Sequence, residues 1–491
     1  MRMRFVCSRV GLVGLGLAVW LSLSGPGSCA EARNTGNPPP SPRRPNIIFI
    51  LADDLGYGDL GCYGSAHIRT PNLDRMAAGG IRFTSCYAGS TVCTPSRASL
   101  MLGQHTGHLN LRGNVRGGTL LPGEVTVAEV LKAAGYHTGL IGKWGLADAG
   151  LPGVPQKKGF DEFVGYLENV HAHDYYPTNL YRYDPRSGFD GWLALPENAH
   201  GARGLYVPDL CTRAALNFIR INKPDASNRY RPFFLHLCYT IPHANNEEGR
   251  RSGNGMQVPD DAPYSMQPWP QPEKNKAAMI TRLDADVGRL LARLAELGLD
   301  ENTIVFFSSD NGPHKEGGVD PAFLRSSGPL RGIKRDLTEG GIRVPMIVRW
   351  PGRIRPGQVS DFVWAFWDFL PTAAELARTP PPAGMDGFSV LPLLTGGTQT
   401  NRHEYLYWEF HERGFQQALR MGDWKAIRPK AGAPLELYNL KTDLAERQNL
   451  ADSNPDIVAR METLLKQARV DSDRWPAASK TENSPQTVRS P

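Results

Sequence analysis

The chain has 491 residues, of which 41% are hydrophobic and 21% charged, and its 52 glycines and 40 prolines stay below the level of a low-complexity chain. Seven cysteines in this length cannot build a disulfide scaffold, and 55 basic against 49 acidic residues are too balanced for a nucleic-acid coat. These numbers predict a globular protein with one large α/β core and a smaller unit, acting on small or polymeric substrates and not on nucleic acid.

The first 32 residues have the pattern of an export signal. Three arginines precede an apolar stretch over 10–23, and small residues around Ala30 offer a cleavage site. A membrane-spanning helix is the weaker alternative, because the stretch is shorter than the roughly 20 residues that a bilayer requires. We therefore expect a signal peptide over 1–32, a stiff Pro-rich linker over 33–45, and an exported, periplasmic or secreted protein without stable membrane insertion.

From residue 46 onward the chain has the rhythm of a parallel α/β sheet. The apolar run 46–51 predicts a buried strand that ends at Asp53 and Asp54, and a later strand leads into Asp310 and Asn311. The other strand and helix patterns alternate along the chain, with strands at 137–141, 232–240 and 303–308 and helices at 72–78, 126–134 and 276–297. Ligands of open α/β sheets bind beyond the carboxyl ends of the strands, so the four polar residues could converge there.

The pattern changes at about residue 404. Short alternating strands follow one another and precede a helix, with strands at 404–410, 415–421, 424–428 and 435–439 and the helix at 455–470. This predicts a small antiparallel sheet with one helix. We therefore divide the mature chain into a catalytic domain, 46–400, a C-terminal subdomain, 401–475, and a mobile tail, 476–491.

The sharpest local pattern is the run from Cys93 to Arg97, CTPSR, which predicts the start of a helix. Thr94 is a good N-cap and Pro95 suits the first helical position, so Cys93 should lie just before the positive end of the helix. Arg97, one turn later, can reach back and add a fixed cation. The pattern favours an anionic group at this place, and an ordinary capped helix after a buried cysteine is the alternative.

Hard oxygen ligands and further cations accompany this motif. The strand-end side chains supply oxygens without a Cys/His cluster, which suits Ca²⁺ or Mg²⁺ better than Zn²⁺. Lys143, in Gly-Lys-Trp after a strand, and Lys334, in a glycine-bounded loop, offer positive charge for an oxyanion. Taken singly, each acid is an ordinary strand-end cap and each lysine a solvated residue, so only the combination indicates a site.

The ordered set of motifs resembles the type I, arylsulfatase-like sulfatases of the alkaline phosphatase superfamily. The similarity extends from about Asn46 to the C-terminal helix, and its motifs are CTPSR at 93–97, GKW at 142–144, DNG at 310–312 and GxKxxxxEGGxRxP at 332–345. The resemblance implies an α/β fold, with a large mixed, mainly parallel sheet between helices and a smaller C-terminal antiparallel sheet with a helix. It also implies a sulfuric ester hydrolase whose substrate is a sulfated small molecule or glycan.

The resemblance further implies a modified nucleophile at Cys93. In that family the motif cysteine is oxidised to Cα-formylglycine, which makes a formylglycine-generating or sulfatase-maturating enzyme a partner. One hydroxyl of the formylglycine hydrate attacks sulfur, and the resulting covalent sulfo-enzyme then expels sulfate. A serine or unmodified cysteine cannot regenerate itself in this way, because it offers only one oxygen or sulfur.

The resemblance assigns roles to the surrounding residues as well. It implies one Ca²⁺, with Mg²⁺ as the alternative, bound by the side chains of Asp53, Asp54, Cys93, Asp310 and Asn311. Arg97 is implied to stabilise the formylglycine hydrate. The sulfate oxygens are implied to bind Lys143, His243 and Lys334.

One position departs from the family pattern. The common run is GKWHLG, whose histidine is the usual candidate base, whereas this chain has Gly145. We look instead to His171 and His173, with His173 next to Asp174 as the first candidate. The alternative is that both histidines lie in a loop and bind substrate or nothing.

The region 171–206 is rich in aromatic side chains, which suit stacking on sugar rings: Tyr175, Tyr176, Tyr181, Tyr183, Phe189 and Trp192. A sulfated carbohydrate is therefore an attractive substrate, although most aromatic residues in such loops pack structurally.

Two other functions stay open on the sequence. A formylglycine-dependent phosphate or phosphonate ester hydrolase would use the same site, because one metal with several cations does not decide between the esters. A non-catalytic protein that binds sulfated glycans would keep Cys93 unmodified. The retained Cys-x-Pro-Ser-Arg run argues against this interpretation, whereas the altered Gly145 leaves it open. Two-zinc phosphatases fit less well, since they need additional histidine ligands.

Overall fold

The computed structural model describes residues 43–477. The predicted signal peptide, most of the predicted linker and most of the predicted tail lie outside the described residues.

Eleven strands of the described chain form one large sheet: β1 (Asn46–Ala52), β2 (Ile81–Tyr87), β3 (His137–Lys143), β4 (Glu162–Tyr166), β5 (Asn179–Asp184), β6 (Phe189–Ala194), β7 (Phe233–Cys238), β8 (Thr303–Ser309), β9 (Arg343–Arg349), β10 (Gln358–Ser360) and β11 (Trp364–Ala365). Four more strands form a second sheet: β12 (Leu406–Phe410), β13 (Gln416–Met421), β14 (Trp424–Arg428) and β15 (Glu436–Asn439).

The α-helices of the same residues are α1 (Pro71–Ala78), α2 (Cys93–Leu102), α3 (Val127–Ala133), α4 (Val207–Ile221), α5 (Asn246–Ser252), α6 (Gln271–Glu296), α7 (Glu339–Ile342), α8 (Phe369–Leu376), α9 (Leu391–Leu394) and α10 (Pro455–Gln467).

The centre of the large sheet is parallel. Its order is β10-β2-β9-β8-β1-β7-β3-β4-β5-β6, with β11 also paired to β2, and the run from β8 to β4 is parallel throughout. Antiparallel pairs enter only at β9 and at the β4-β5-β6 edge. The fold predicted from the sequence is confirmed: a mixed, mainly parallel sheet with helices, and a small antiparallel sheet near the C-terminus.

Both faces of the central strands are buried, which explains their unbroken apolar runs. Successive side chains of a strand point to opposite faces, so alternate residues of β1 enter two different cores. Ile47, Phe49 and Leu51 pack on one side, in the core that includes residues of α2, α3 and α8. Ile48 and Ile50 pack on the other, with α1, α4 and α6.

Local signals account for several element ends, and one region differs from the prediction. Helix α3 begins after Thr126, whose side chain accepts from the Glu129 amide in a capping box. Helix α6 begins at Gln271, five residues before the predicted start. The prediction missed the first turn, which contains Pro272, because that turn lacks the apolar periodicity on which the prediction relied. The segment 171–206, treated as an aromatic-rich loop, contains the edge hairpin β5–β6, in which half-buried and exposed residues alternate along β6.

A buried ionic cluster joins the small sheet to the glycine-rich segment that carries Lys334. Lys425 of β14 lies 2.9 Å from a carboxylate oxygen of Glu339, at the start of α7, and 2.9 Å from one of Glu446. Tyr87 of β2 donates to Glu339 as well, at 2.7 Å. The small sheet therefore helps to hold the loop before β9 in place.

Within residues 43–477, no helix has the length and apolar character that a membrane crossing requires.

Candidate active site

Cys93 is the first residue of α2 and is almost fully buried, with 3% of its surface exposed. The sequence placed Thr94 at the N-cap and Pro95 at the first helical position, and this is wrong by two residues, since the N-cap is Val92. Thr94 does not cap because its hydroxyl donates instead to Gly145 O, 3.1 Å away. Cys93 thus lies within the first turn, where the helix amides and the helix dipole favour negative charge.

The ends of β1 and β8 bring the two predicted acidic pairs together. The strands are parallel neighbours with Ala52 opposite Ser309, so the residues that follow each strand meet at the same edge. The Asp54 amide donates to Asp310 Oδ1 at 3.1 Å, and Asn311 Nδ2 donates to Asp54 Oδ1 at 2.7 Å. Asp54 has φ +65, a left-handed conformation that these contacts support.

The oxygens at this edge fit a hard divalent cation. Asp53 Oδ1 and Asn311 Oδ1 are buried and have no hydrogen-bond partner in the described part of the chain. One ligand atom from each of Asp53, Cys93 and Asp310 lies within 4.8 Å of the others, and the same holds for Asp53, Asp54 and His243. Buried, unpartnered oxygens cost free energy, and carboxylate and amide oxygens are the ligands that Ca²⁺ prefers. The donor set therefore matches the predicted calcium site.

Each carboxylate of the site also contacts a buried cation. Lys143 Nζ lies 2.7 Å from Asp53 Oδ2, and Lys334 Nζ lies 2.7 Å from Asp54 Oδ2. Arg97 Nη2 lies 2.8 Å from Asp310 Oδ2, while its Nη1 donates to Lys143 O at 2.8 Å.

These charges shift the ionisation of the acids in opposite directions. Burial by itself would raise the pKa of Asp53, but the charges of Lys143, Arg97 and Lys334 outweigh it and hold that pKa below its usual value. Burial, together with the adjacent Asp53, raises the pKa of Asp310 to about 7. A divalent cation would relieve the repulsion between these crowded carboxylates.

His243 lies between the cations and the acids as a neutral ring. Its Nδ1 donates to Ala244 O at 2.7 Å, which leaves Nε2 to accept from Lys334 Nζ at 3.2 Å. Burial and the Lys334 charge hold the pKa of His243 well below its ordinary value. Lys143, Lys334 and His243 thus surround the region next to Cys93, an arrangement that can bind and polarise the oxygens of a tetrahedral anion.

The structure separates the two candidate bases. The ring of His173 stacks on that of His243, with centroids 4.8 Å apart, and its Nδ1 lies 3.0 Å from Glu247 Oε2. His171 packs instead against Tyr166 and Trp192, with centroid distances of 5.0 and 5.8 Å. Only His173 is therefore in contact with a predicted sulfate-binding residue.

The aromatic residues of the region 171–206 divide between core and surface. Tyr175 is fully buried, and its hydroxyl donates to the carbonyl oxygens of Thr240 and His243. Trp192 is 51% exposed, beside His171. Of the aromatic residues named from the sequence, Tyr175 supports the site from within, and Trp192 is the large exposed one.

Two amide side chains that contact Cys93 or Thr94 were missed by the sequence reasoning. Asn114 Nδ2 lies 4.0 Å from Cys93 Sγ, and Asn114 Oδ1 accepts from the Thr94 amide at 3.0 Å. Asn169 Nδ2 donates to Thr94 Oγ1 at 2.7 Å. Neither residue lies in a recognisable motif, so no local signal could have identified it.

Comparisons with known proteins agree with the arrangement of the motifs. Residues 45–379 match the family model described as Sulfatase, and residues 333–471 match the one described as N-sulphoglucosamine sulphohydrolase, C-terminal. Arylsulfatase A of Homo sapiens is 35% identical, over 88% of this chain and 89% of the relative. N-acetylgalactosamine-6-O-sulfatase of Bacteroides thetaiotaomicron is 30% identical, over 87% of this chain and 93% of the relative.

A solved structure has the same fold. The crystal structure of Ps i-CgsB in complex with k-i-k-neocarrahexaose superposes with a TM-score of 0.73 at 28% identity, covering 89% of this chain and 96% of the other.

Proposed function

The chain belongs to the sulfatase family and hydrolyses sulfate esters, and we propose that its substrate is a sulfated carbohydrate and its nucleophile a formylglycine formed from Cys93. The observation that carries this proposal is the surroundings of Cys93. The residue opens a buried helix, and the strand-end oxygens and three buried cations converge on it.

We assign each residue a role from its contacts. Asp53, Asp54, Asp310, Asn311 and residue 93 would hold the Ca²⁺, which supplies positive charge that makes a nearby hydroxyl more acidic. A hydrated formylglycine supplies two hydroxyls on one carbon, so one can be a nucleophile while the other allows the leaving group to depart.

The remaining polar residues bind the sulfate group and orient the hydrated residue 93. Arg97, held by Asp310 and by Lys143 O, points its charge at the start of α2 and steadies the hydrate. Lys143, Lys334 and His243 bind the sulfate oxygens and stabilise the charge that develops on them. His173 is the proposed base, because it stacks on His243 at the edge of this cluster.

A carbohydrate substrate is supported from two sides. One relative is an N-acetylgalactosamine-6-O-sulfatase, and one structural neighbour is bound to k-i-k-neocarrahexaose. In this chain Trp192 is exposed and lies beside His171, and His171 in turn is two residues before the proposed base His173. An exposed indole near a sulfate site suits stacking on a sugar ring.

We also propose the export and maturation that this chemistry requires. Residues 1–32 would direct export and then be removed, and a formylglycine-generating or sulfatase-maturating enzyme would oxidise Cys93. The catalytic and C-terminal units would divide near residue 400.

Release of inorganic sulfate tests the proposed function. Protein made in its native host should release sulfate from sulfated monosaccharides or oligosaccharides, and its residue-93 peptide should be about 18 Da lighter than the cysteine form. Preferential release of phosphate from matched phosphate esters would favour the rival hydrolase. A folded protein with an unmodified cysteine that binds these glycans without turnover would favour the binding protein.

Substitution of the two histidines tests the proposed base. We expect His173→Ala to lower kcat about 100-fold and to remove one limb of the pH–rate profile, because a general base contributes at least that factor. His171→Ala is the matched control and should keep most of the activity, since its ring packs between Tyr166 and Trp192. Near-normal turnover in both variants would rule out this role.

A further inference from the structure

Asn169, in the loop after β4, occupies the space over Gly145, the position at which the family pattern has a histidine. Gly145 has φ +74, and a Cβ built on it would lie 2.9 Å from Asn169 Oδ1. Such a distance is shorter than real Cβ contacts allow. A side chain at 145 therefore requires the Asn169 amide to move, and the positive φ strains any residue other than glycine at this position.

Hydrogen bonds determine which way the Asn169 amide points. The Thr94 hydroxyl donates to Gly145 O at 3.1 Å, so its oxygen is free to accept from Asn169 Nδ2, at 2.7 Å. This orientation turns Oδ1 away from Thr94. Asn169 Oδ1 is buried and has no partner among residues 43–477. A buried acceptor without a donor costs free energy, so the arrangement calls for a donor that residues 43–477 do not supply.

The neighbouring residues indicate where that donor comes from. Thr94 directly follows Cys93, and the Cβ position of Gly145 is also 3.4 Å from Arg97 Cδ. The Thr94 hydroxyl that holds Asn169 is thus one residue along α2 from residue 93. A thiol is a weak donor, whereas the hydrate of a formylglycine carries two O–H groups.

We propose that Asn169 is a positioning residue that accepts a hydrogen bond from one hydroxyl of the hydrated residue 93. The inference rests on the proposed function, because it requires the formylglycine. Asn169 takes over the orienting contact that a histidine at position 145 could make. However, an amide oxygen is too weakly basic to remove the proton of the hydrate hydroxyl. The proton goes to a separate base, for which His173 is proposed, so orientation and proton transfer are divided between two residues.

The first test compares Asn169→Ala with the wild-type protein at equal formylglycine content, measured from the mass of the residue-93 peptide. We expect kcat for para-nitrophenyl sulfate to fall about 100-fold with little change in KM, because a misplaced reacting group costs a factor of this order. We also expect hydroxylamine to label residue 93 faster in the folded variant without substrate, because loss of the contact shifts the hydrate towards free aldehyde. Asn179→Ala, which changes a surface amide in β5, should alter neither value.

A reciprocal exchange gives a second, independent readout. Gly145→His alone should lose most activity, since its side chain meets Asn169. The double variant Gly145→His/Asn169→Gly should recover ~10-fold relative to it when its Tm shows that the fold accommodates a histidine at φ +74, because the histidine then has the vacated space. Unchanged kcat and labelling in Asn169→Ala at equal formylglycine content would overturn the inference, as would absence of any gain in the double variant while it keeps the wild-type Tm. An aldehyde whose labelling responds to Asn169, in a protein that releases no sulfate, would refute the proposed function alone.

Discussion

Replacement of Cys93 by alanine should lower the turnover of sulfate esters by ~10⁴-fold or more, the order found when a covalent nucleophile is removed. The fold should survive, because the residue contributes only a thiol at the start of α2 and its one polar contact is a 4.0 Å approach of Asn114 Nδ2. Steady-state sulfate release, together with the Tm, measures the effect. Cys211→Ala, at another buried cysteine in α4, is the matched control and should stay active.

Cys93→Ser separates the formylglycine mechanism from an ordinary nucleophile. A serine that is not oxidised has a single oxygen and can accept sulfate once, but it cannot expel it by re-forming a carbonyl. We therefore expect at most one equivalent of leaving group per protein molecule, followed by arrest. Sustained turnover by this variant, with residue 93 still serine by mass, is incompatible with the proposed mechanism.

Asp310→Asn should abolish tight Ca²⁺ binding and lower turnover by ~10³-fold, because the substitution removes a carboxylate shared between the cation site and Arg97. Both Arg97 Nε and Nη2 donate to Asp310 Oδ2, at 3.0 and 2.8 Å, and a neutral amide can only partly replace that oxygen. Arg97 would keep Lys143 O and a 3.5 Å contact with Asp53. The variant should fold, with a lower Tm.

Calcium titration of chelator-treated protein measures this effect apart from catalysis. The matched control is Asp284→Asn in α6, another buried aspartate, which accepts from the amides of Asn72 and Leu73 far from the strand ends. It should keep the stoichiometry of Ca²⁺ binding even if it loses stability. Full Ca²⁺ affinity in Asp310→Asn would mean that the cation is bound elsewhere.

The convergence of the strand-end residues follows from the pattern of the amino-acid sequence. Uninterrupted apolar runs before Asp53 and Asp310 imply buried parallel strands, and parallel strands end at the same edge of a sheet. The distances confirm that Asp54 contacts both Asp310 and Asn311. The local CTPSR pattern likewise indicated a helix at Cys93, although the start lay two residues earlier than predicted.

Other parts of the site depend on contacts between distant segments. Thr94 is not an N-cap because Gly145, 51 residues later, accepts a hydrogen bond from its hydroxyl. Asn169 reaches Thr94 because the loop after β4 passes over a glycine, and no pattern in that loop signals this contact. Helix capping and loop position are both decided by such partners, which a linear pattern does not contain.

The amino-acid sequence by itself determined the central parallel strands, the small C-terminal sheet and the types of residue offered to the site, because strand periodicity and the identity of hard ligands and cations are local properties of the chain. Only the tertiary structure decided which histidine meets the cluster, which aromatic residue faces solvent and which amide lies over Gly145. His171 and His173 are two residues apart, yet His171 makes an edge contact with Trp192 and His173 stacks on His243. The direction of each side chain is set by the elements that pack around the loop, and those elements come from separate parts of the sequence.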